Sequence, residues 1–150
     1  LGASAYKWLN AGYGNGFLLF RKEFLENYLS KKGNFREDFE LGHLDTFNFG
    51  SLLHAIRFIE QIGTENIEND IKNLSFQAKE RLAERNLLEN SVVNRKQHSS
   101  IFNIKGDNAL FEYLRSKNVI CARRGNGIRV SFHVFNTLED LEILMKALKT

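Results

Sequence analysis

The chain contains no proline, where average usage would put about seven in a sequence of this size. Proline fixes φ and removes a backbone donor, so its absence fits a helix-rich domain joined by short turns. The single cysteine, Cys121, excludes an intrachain disulfide. Zinc-ligand spacing of Cys and His is missing too, and His43, His54, His98 and His133 are scattered. No apolar run approaches the roughly 20 residues that cross a membrane. The first residues lack the charged and apolar regions of a secretory signal, so no membrane partner is expected and the expected compartment is cytoplasmic. Charge of one sign is also lacking. Twenty-one Lys and Arg against 18 Asp and Glu leave +3, too little and too dispersed to argue for nucleic acid. The chain begins at Leu1 and not at methionine, which points to a trimmed or partial product.

What is present suits a globular fold: 43% hydrophobic and 12% aromatic residues in a chain of 150 can bury roughly two thirds of the unfolded surface. Period-two and period-3.6 patterns alternate along it. A short buried strand is expected over 16–20, a brief helix over 22–29 and a polar turn over 30–34. A helix follows Thr46, its expected cap, with Leu52, Leu53, Ile56, Ile59 and Ile62 as its core stripe and Gly63 at its end. Thr64 is placed to cap the next helix, which carries Ile67, Ile71, Leu74, Ala78 and Leu82. Residues 86–97 read as irregular. Strands are then expected over 99–104, 119–123 and 127–134, the last two joined at Gly125-Asn126, with a helix over 108–116. Thr137 and Asp140 mark the start of a closing helix with Leu141, Leu144, Met145 and Leu148 on its buried stripe. The order predicts a mixed α/β chain with an α+β C-terminal part.

Two segments carry chemistry. In Ser4-Ala5-Tyr6-Lys7-Trp8-Leu9-Asn10-Ala11-Gly12-Tyr13-Gly14-Asn15-Gly16-Phe17 a lysine sits between aromatics and is followed by three alternating glycines. A lysine amine is a covalent catalyst when part of its population is uncharged, and Tyr6 and Trp8 could supply the desolvation this requires. The glycines clear a path along which a ligand or a second backbone can come close. By themselves these residues read better as an exposed lysine snorkelling over an aromatic and a glycine turn. In Gly127-Ile128-Arg129-Val130-Ser131-Phe132-His133-Val134-Phe135-Asn136-Thr137, strand alternation puts Ile128, Val130, Phe132 and Val134 on one face and Arg129, Ser131 and His133 on the other.

The first segment resembles the Schiff-base segment of class V aminotransferases, which use pyridoxal 5'-phosphate (PLP), with its closest echoes in kynureninase-like members. Tyr13 stands where many relatives carry proline. The second segment is similar to the arginine-x-serine and aromatic-asparagine-threonine signature near the C-terminus of that family. The resemblance implies that Lys7 holds the cofactor, with Tyr6 beside it, and that Arg129 holds the substrate α-carboxylate. A guanidinium suits that task because it grips a carboxylate through two parallel hydrogen bonds. In Glu40-Leu41-Gly42-His43-Leu44-Asp45-Thr46, His43 replaces the threonine with which relatives reach the cofactor phosphate of the neighbouring subunit. A phosphate contact from His43 is the weaker reading beside a plain loop. Some relatives are cysteine desulfurases, but Cys121 precedes Arg123 in an expected strand, and the short span from Arg124 to Arg129 has no room for a catalytic loop. A buried, inert Cys121 is expected instead.

The resemblance further implies that residues 1–34 end a large cofactor-binding domain and 35–150 form the C-terminal small domain. The segments that stack on the ring, pair its nitrogen and cradle its phosphate precede the lysine in the family, so the chain alone is expected to be inert. The intact parent is expected to be a homodimer that transaminates or cleaves an amino acid. The competing expectation is a stand-alone α+β module that meets protein or RNA through Arg123, Arg124 and the polar strand face.

Overall fold

The computed structural model describes residues 1–39 and 45–148. The chain folds as two compact units, Leu1–Gly63 and Thr64–Thr150. The architecture is mixed helix and sheet, as the order of elements predicts.

The first unit begins with β1 (Gly2–Ser4), α1 (Ala5–Trp8) and β2 (Gly16–Leu18). β1 and β2 pair antiparallel, with Gly2 opposite Leu18 and Ser4 opposite Gly16. β1 and α1 went unread in the sequence because elements of three and four residues are too short to show a period. Two helices follow, α2 (Lys22–Lys32) and α3 (Phe35–Phe39). α2 runs through the polar stretch read as a turn, and Gly33, at φ 83°, closes it. Helix α4 (Thr46–Ile62) is capped by Asp45 and not by Thr46: the Asp45 carboxylate accepts from the N–H groups of Phe47 and Asn48. The stripe expected to be core is only half-buried at Leu52, Ile59 and Ile62, while Leu53 and Ile56 are exposed. The buried residue of α4 is Ala55, which packs with Ala5 and Ala11, joined by Leu9 and Leu52. Small side chains let the helix backbone come close to the lysine turn, and they rotate the larger residues away from it.

The second unit has a fuller core. Helix α5 (Thr64–Glu84) starts at Thr64 itself and buries Leu74, Ala78 and Leu82. A single-turn α6 (Asn90–Val93) lies in the stretch read as irregular. β3 (Ile101–Lys105), β4 (Ala122–Arg124) and β5 (Gly127–Ser131) form an antiparallel sheet in the order β3-β5-β4. Between β3 and β4 runs α7 (Asn108–Ser116), capped by Asp107, and α8 (Leu138–Ala147) closes the chain. Phe102, Ile104, Ile128 and Val130 of the sheet pack with Leu82, Leu88, Leu114, Leu141 and Met145. Each large side chain taken fully out of water contributes roughly 1.5–3 kcal/mol, so this cluster dominates the stability of its unit.

Three asparagines terminate helices where glycine is the usual choice. Asn10, Asn86 and Asn118 take φ of 53°, 55° and 60°, a left-handed conformation that their short polar side chain tolerates. After Asn118, the Val119 N–H returns to the Leu114 carbonyl at 3.0 Å. This explains why β4 starts at Ala122 and not at Val119: the apolar Val119-Ile120-Cys121 run is spent on the helix exit, with Ile120 fully exposed. β5 likewise stops at Ser131 and not at Val134, because Asn136 closes a turn by donating to the His133 carbonyl at 2.9 Å.

Candidate active site

Lys7 lies in the last turn of α1. The chain around it is shaped by backbone bonds: Ala5 N–H donates to the Asn15 carbonyl at 2.9 Å and Ala11 N–H to the Ala5 carbonyl at 3.2 Å. Those bonds bury Ala5 and Ala11 and turn Tyr6, Lys7 and Trp8 outward. The lysine Nζ stands 5.3 Å from the centroid of the Tyr6 ring, and the Tyr6 ring lies 5.3 Å from that of Tyr13. At an exposed site a cation over an aromatic face gains about 0.5–1 kcal/mol. The Lys7 amine has no hydrogen bond or ion pair with any described residue. Tyr6 and Trp8 are 40% and 45% exposed, so within this chain they flank the amine without enclosing it.

The glycines behind the lysine make close approach possible, and the chain itself uses two of them. A Cβ on Gly12 would lie 2.6 Å from Asn48 Oδ1 and 3.2 Å from Ser51 Oγ, both on α4. One on Gly16 would lie 3.1 Å from the Ala3 carbonyl oxygen. Gly14 takes φ 88°, which an L side chain resists. The second backbone is therefore α4 and β1, held by Gly12 N–H donating to Ser51 Oγ at 2.7 Å and Asn15 Nδ2 donating to the Asn48 carbonyl at 2.6 Å. His43 lies outside the described residues.

Arg129 occupies the middle of β5, the central strand, flanked by Asn103 of β3 and Ala122 of β4. It is half-buried, and its guanidinium makes no hydrogen bond or ion pair with a described residue. The alternation reads correctly: Ile128, Val130 and Phe132 are buried, Ser131 is exposed and His133 half-buried. His133 stacks on Phe135 at 4.8 Å between ring centres. The asparagine and threonine that follow form a relay from strand to helix. Asn136 Oδ1 accepts from His133 N–H at 2.9 Å, and Asn136 Nδ2 donates to Asp140 Oδ2 at 3.3 Å. Asp140 also accepts from Thr137 N–H, and Thr137 Oγ1 caps the helix by accepting from Asp140 N–H. The polar signature is thus a structural clamp that fixes the end of the Arg129 strand on α8.

Two further residues matter here. Cys121 is half-buried against the core, and burial pushes its thiol up, with the Arg115 charge acting weakly the other way. A thiol held in its neutral form is a poor nucleophile. Asn103 was not read from the sequence, because a polar residue in an alternating strand gains meaning only from register. Here it is the cross-strand neighbour of Arg129.

In comparison with known sequences, the model for Aminotransferase class-V, a family that generally uses PLP, matches residues 2–144. The chain belongs to the class-V aminotransferase family. No curated protein sequence matches it. Among the described residues no helix is long and apolar enough to cross a membrane.

Proposed function

We propose that this chain carries the cofactor-linking lysine and the substrate anchor of a cytoplasmic, homodimeric PLP enzyme that transaminates an amino acid or cleaves it in the manner of kynureninase. Residues 1–34 close its cofactor-binding domain and 35–150 form its small domain, with α4 laid back on the lysine turn through Ser51 and Asn48. The observation that carries this reading is the state of the Lys7 amine, set on a single helical turn beside the Tyr6 ring, with no hydrogen bond or ion pair to a described residue.

That donor fits the aldehyde end of PLP, which an amine captures covalently, and the Tyr6 phenol stands where it can flank the same group. When bound, PLP supplies an electron sink for the bonds at the substrate α-carbon. The role of Lys7 Nζ would be to hold the cofactor at rest and to move a proton at the substrate α-carbon, as general base and then as general acid. To act as base the amine must be uncharged, which exclusion of solvent from its neighbourhood would favour, and the proton it takes up then makes it the acid. Arg129 grips the α-carboxylate through paired N–H donors and thereby fixes which bond at the α-carbon stands ready to break.

The test is to incubate the protein carrying this chain with PLP, reduce it with borohydride and map the modified peptide by mass spectrometry. The expected result is a phosphopyridoxyl group on Lys7 that is lost in Lys7→Ala. An unmodified Lys7 in a protein that binds PLP elsewhere would overturn the assignment.

A further inference from the structure

Asn103 and Arg129 share one row on the outward face of the sheet, side by side on adjacent strands. Directly opposed residues of an antiparallel pair hold their Cβ atoms about 4.5–5.5 Å apart, well within reach of a guanidinium. Asn103 nevertheless makes no hydrogen bond to Arg129. Its Nδ2 instead reaches across β5 and donates to the Arg124 carbonyl of β4 at 3.3 Å.

The crossing passes over Gly127, which is paired with Lys105 on one side and Arg124 on the other. A Cβ at Gly127 would stand 3.0 Å from both terminal atoms of the Asn103 amide and 2.6 Å from the Ile104 carbonyl oxygen. Gly127 thus makes room for the amide to lie flat over the central strand. The side chain directly across from Arg129 on β3 is uncharged and tied to the Arg124 carbonyl. On the other side of Arg129 stands the methyl group of Ala122, which has nothing to offer a guanidinium.

The whole outward face follows the same rule. Alternation and register put Ile101, Asn103 and Lys105 of β3, Gly127, Arg129 and Ser131 of β5, and Ala122 and Arg124 of β4 on it, with no carboxylate among them. An arginine meant to receive an incoming carboxylate has to be kept from pairing with one of the protein's own, because an internal acid would hold the same donors at far higher effective concentration.

We infer that Asn103 is a positioning residue for Arg129: a neutral amide, locked to Arg124 over Gly127, that keeps the guanidinium donors available for the substrate carboxylate. This rests on the reading of Arg129 as the substrate anchor. The isosteric acid makes the sharpest variant. In Asn103→Asp the donor to the Arg124 carbonyl is lost and the new carboxylate is repelled by that oxygen, so it turns to Arg129 and competes with substrate. In Asn103→Ser the residue stays neutral but is too short to cross Gly127.

The experiment uses the PLP-loaded protein carrying this chain, with L-alanine as probe and binding followed by the change in cofactor absorbance. Loss of a charge-assisted contact predicts that Asn103→Asp weakens L-alanine binding about tenfold or more, whereas Asn103→Ser weakens it about threefold. A second readout is independent of the cofactor. The Arg129 Nε–H resonance in nitrogen-15 NMR shifts in Asn103→Asp and returns towards the wild-type position as pH falls through the carboxylate range, and it stays in place in Asn103→Ser. Wild-type affinity in Asn103→Asp, alongside lost affinity in Arg129→Ala, would overturn the role of Asn103 and leave Arg129 as anchor. Equal losses in the aspartate and serine variants would overturn it too, by showing a purely structural role. Unchanged affinity in Arg129→Ala would remove the anchor itself and with it the inference.

Discussion

The backbone N–H of Gly12 donates to the hydroxyl of Ser51 at 2.7 Å, a bond that joins the turn behind the lysine to the second turn of α4. Because the glycine has no side chain, the helix can come that close. Ser51→Ala leaves the amide without its partner and is expected to lower stability by about 1 kcal/mol. Gly12→Ala puts a methyl group against Asn48 Oδ1, and Asn48 is itself held by Asp45 at 2.7 Å. The expected loss is about 1–3 kcal/mol. Urea denaturation of the two variants checks both values, and a neutral Gly12→Ala would show that α4 does not need this approach.

Lys7→Ala is expected to cost no more than about 1 kcal/mol of stability, since the side chain is exposed and its contact among the described residues is with the Tyr6 ring. Thermal unfolding measured beside PLP labelling separates the two roles. A lysine needed for chemistry loses the label while the melting curve stays in place.

Cys121 is expected to alkylate slowly. Its thiol is pushed up by burial, and the thiolate is the reacting form, so the pH at which iodoacetamide modification accelerates should lie higher in the folded protein than in urea. Equal pH profiles in the two states would contradict the assignment of Cys121 as an inert core residue.

Thr137→Ala removes the hydroxyl that caps α8 and is expected to lower stability by about 1 kcal/mol. Phe102→Ala empties the centre of the second unit, where the ring is 1% exposed, and is expected to cost about 3–5 kcal/mol. Chemical denaturation of the pair ranks them, and a capping loss as large as the core loss would contradict this account.

The long helices were legible because period and punctuation agreed. α7 lies where its pattern put it, and α8 begins behind the Thr137 and Asp140 pair that announced it. The apolar stripe of α4 misled, because sequence period says which residues share a face but not whether anything covers it. The β4 boundary misled because Val119 and Ile120 are β-formers, whereas the left-handed Asn118 commits them to the helix exit. At the candidate site, Lys7 and Arg129 were singled out through the segments around them, and the fold adds the turn and the strand on which each sits. Asn103 was not, since its meaning lies in a strand pairing and a glycine crossing that no linear pattern displays.

The two candidate side chains differ in what anchors them, and this sets how each segment moves. The turn bearing Lys7 rests on three small alanines, Ala5, Ala11 and Ala55, whereas the Arg129 strand is sewn to a core of large side chains and clamped to α8 through Asn136 and Asp140. Few buried contacts mean low-energy local opening. The amides of Ala5 and Ala11 should therefore exchange with solvent deuterium by local breathing, while those of Phe102 and Val130 wait for the cooperative opening of their unit. The strand bearing Arg129 is the stiffer support, and Lys7 rides on a segment that can yield.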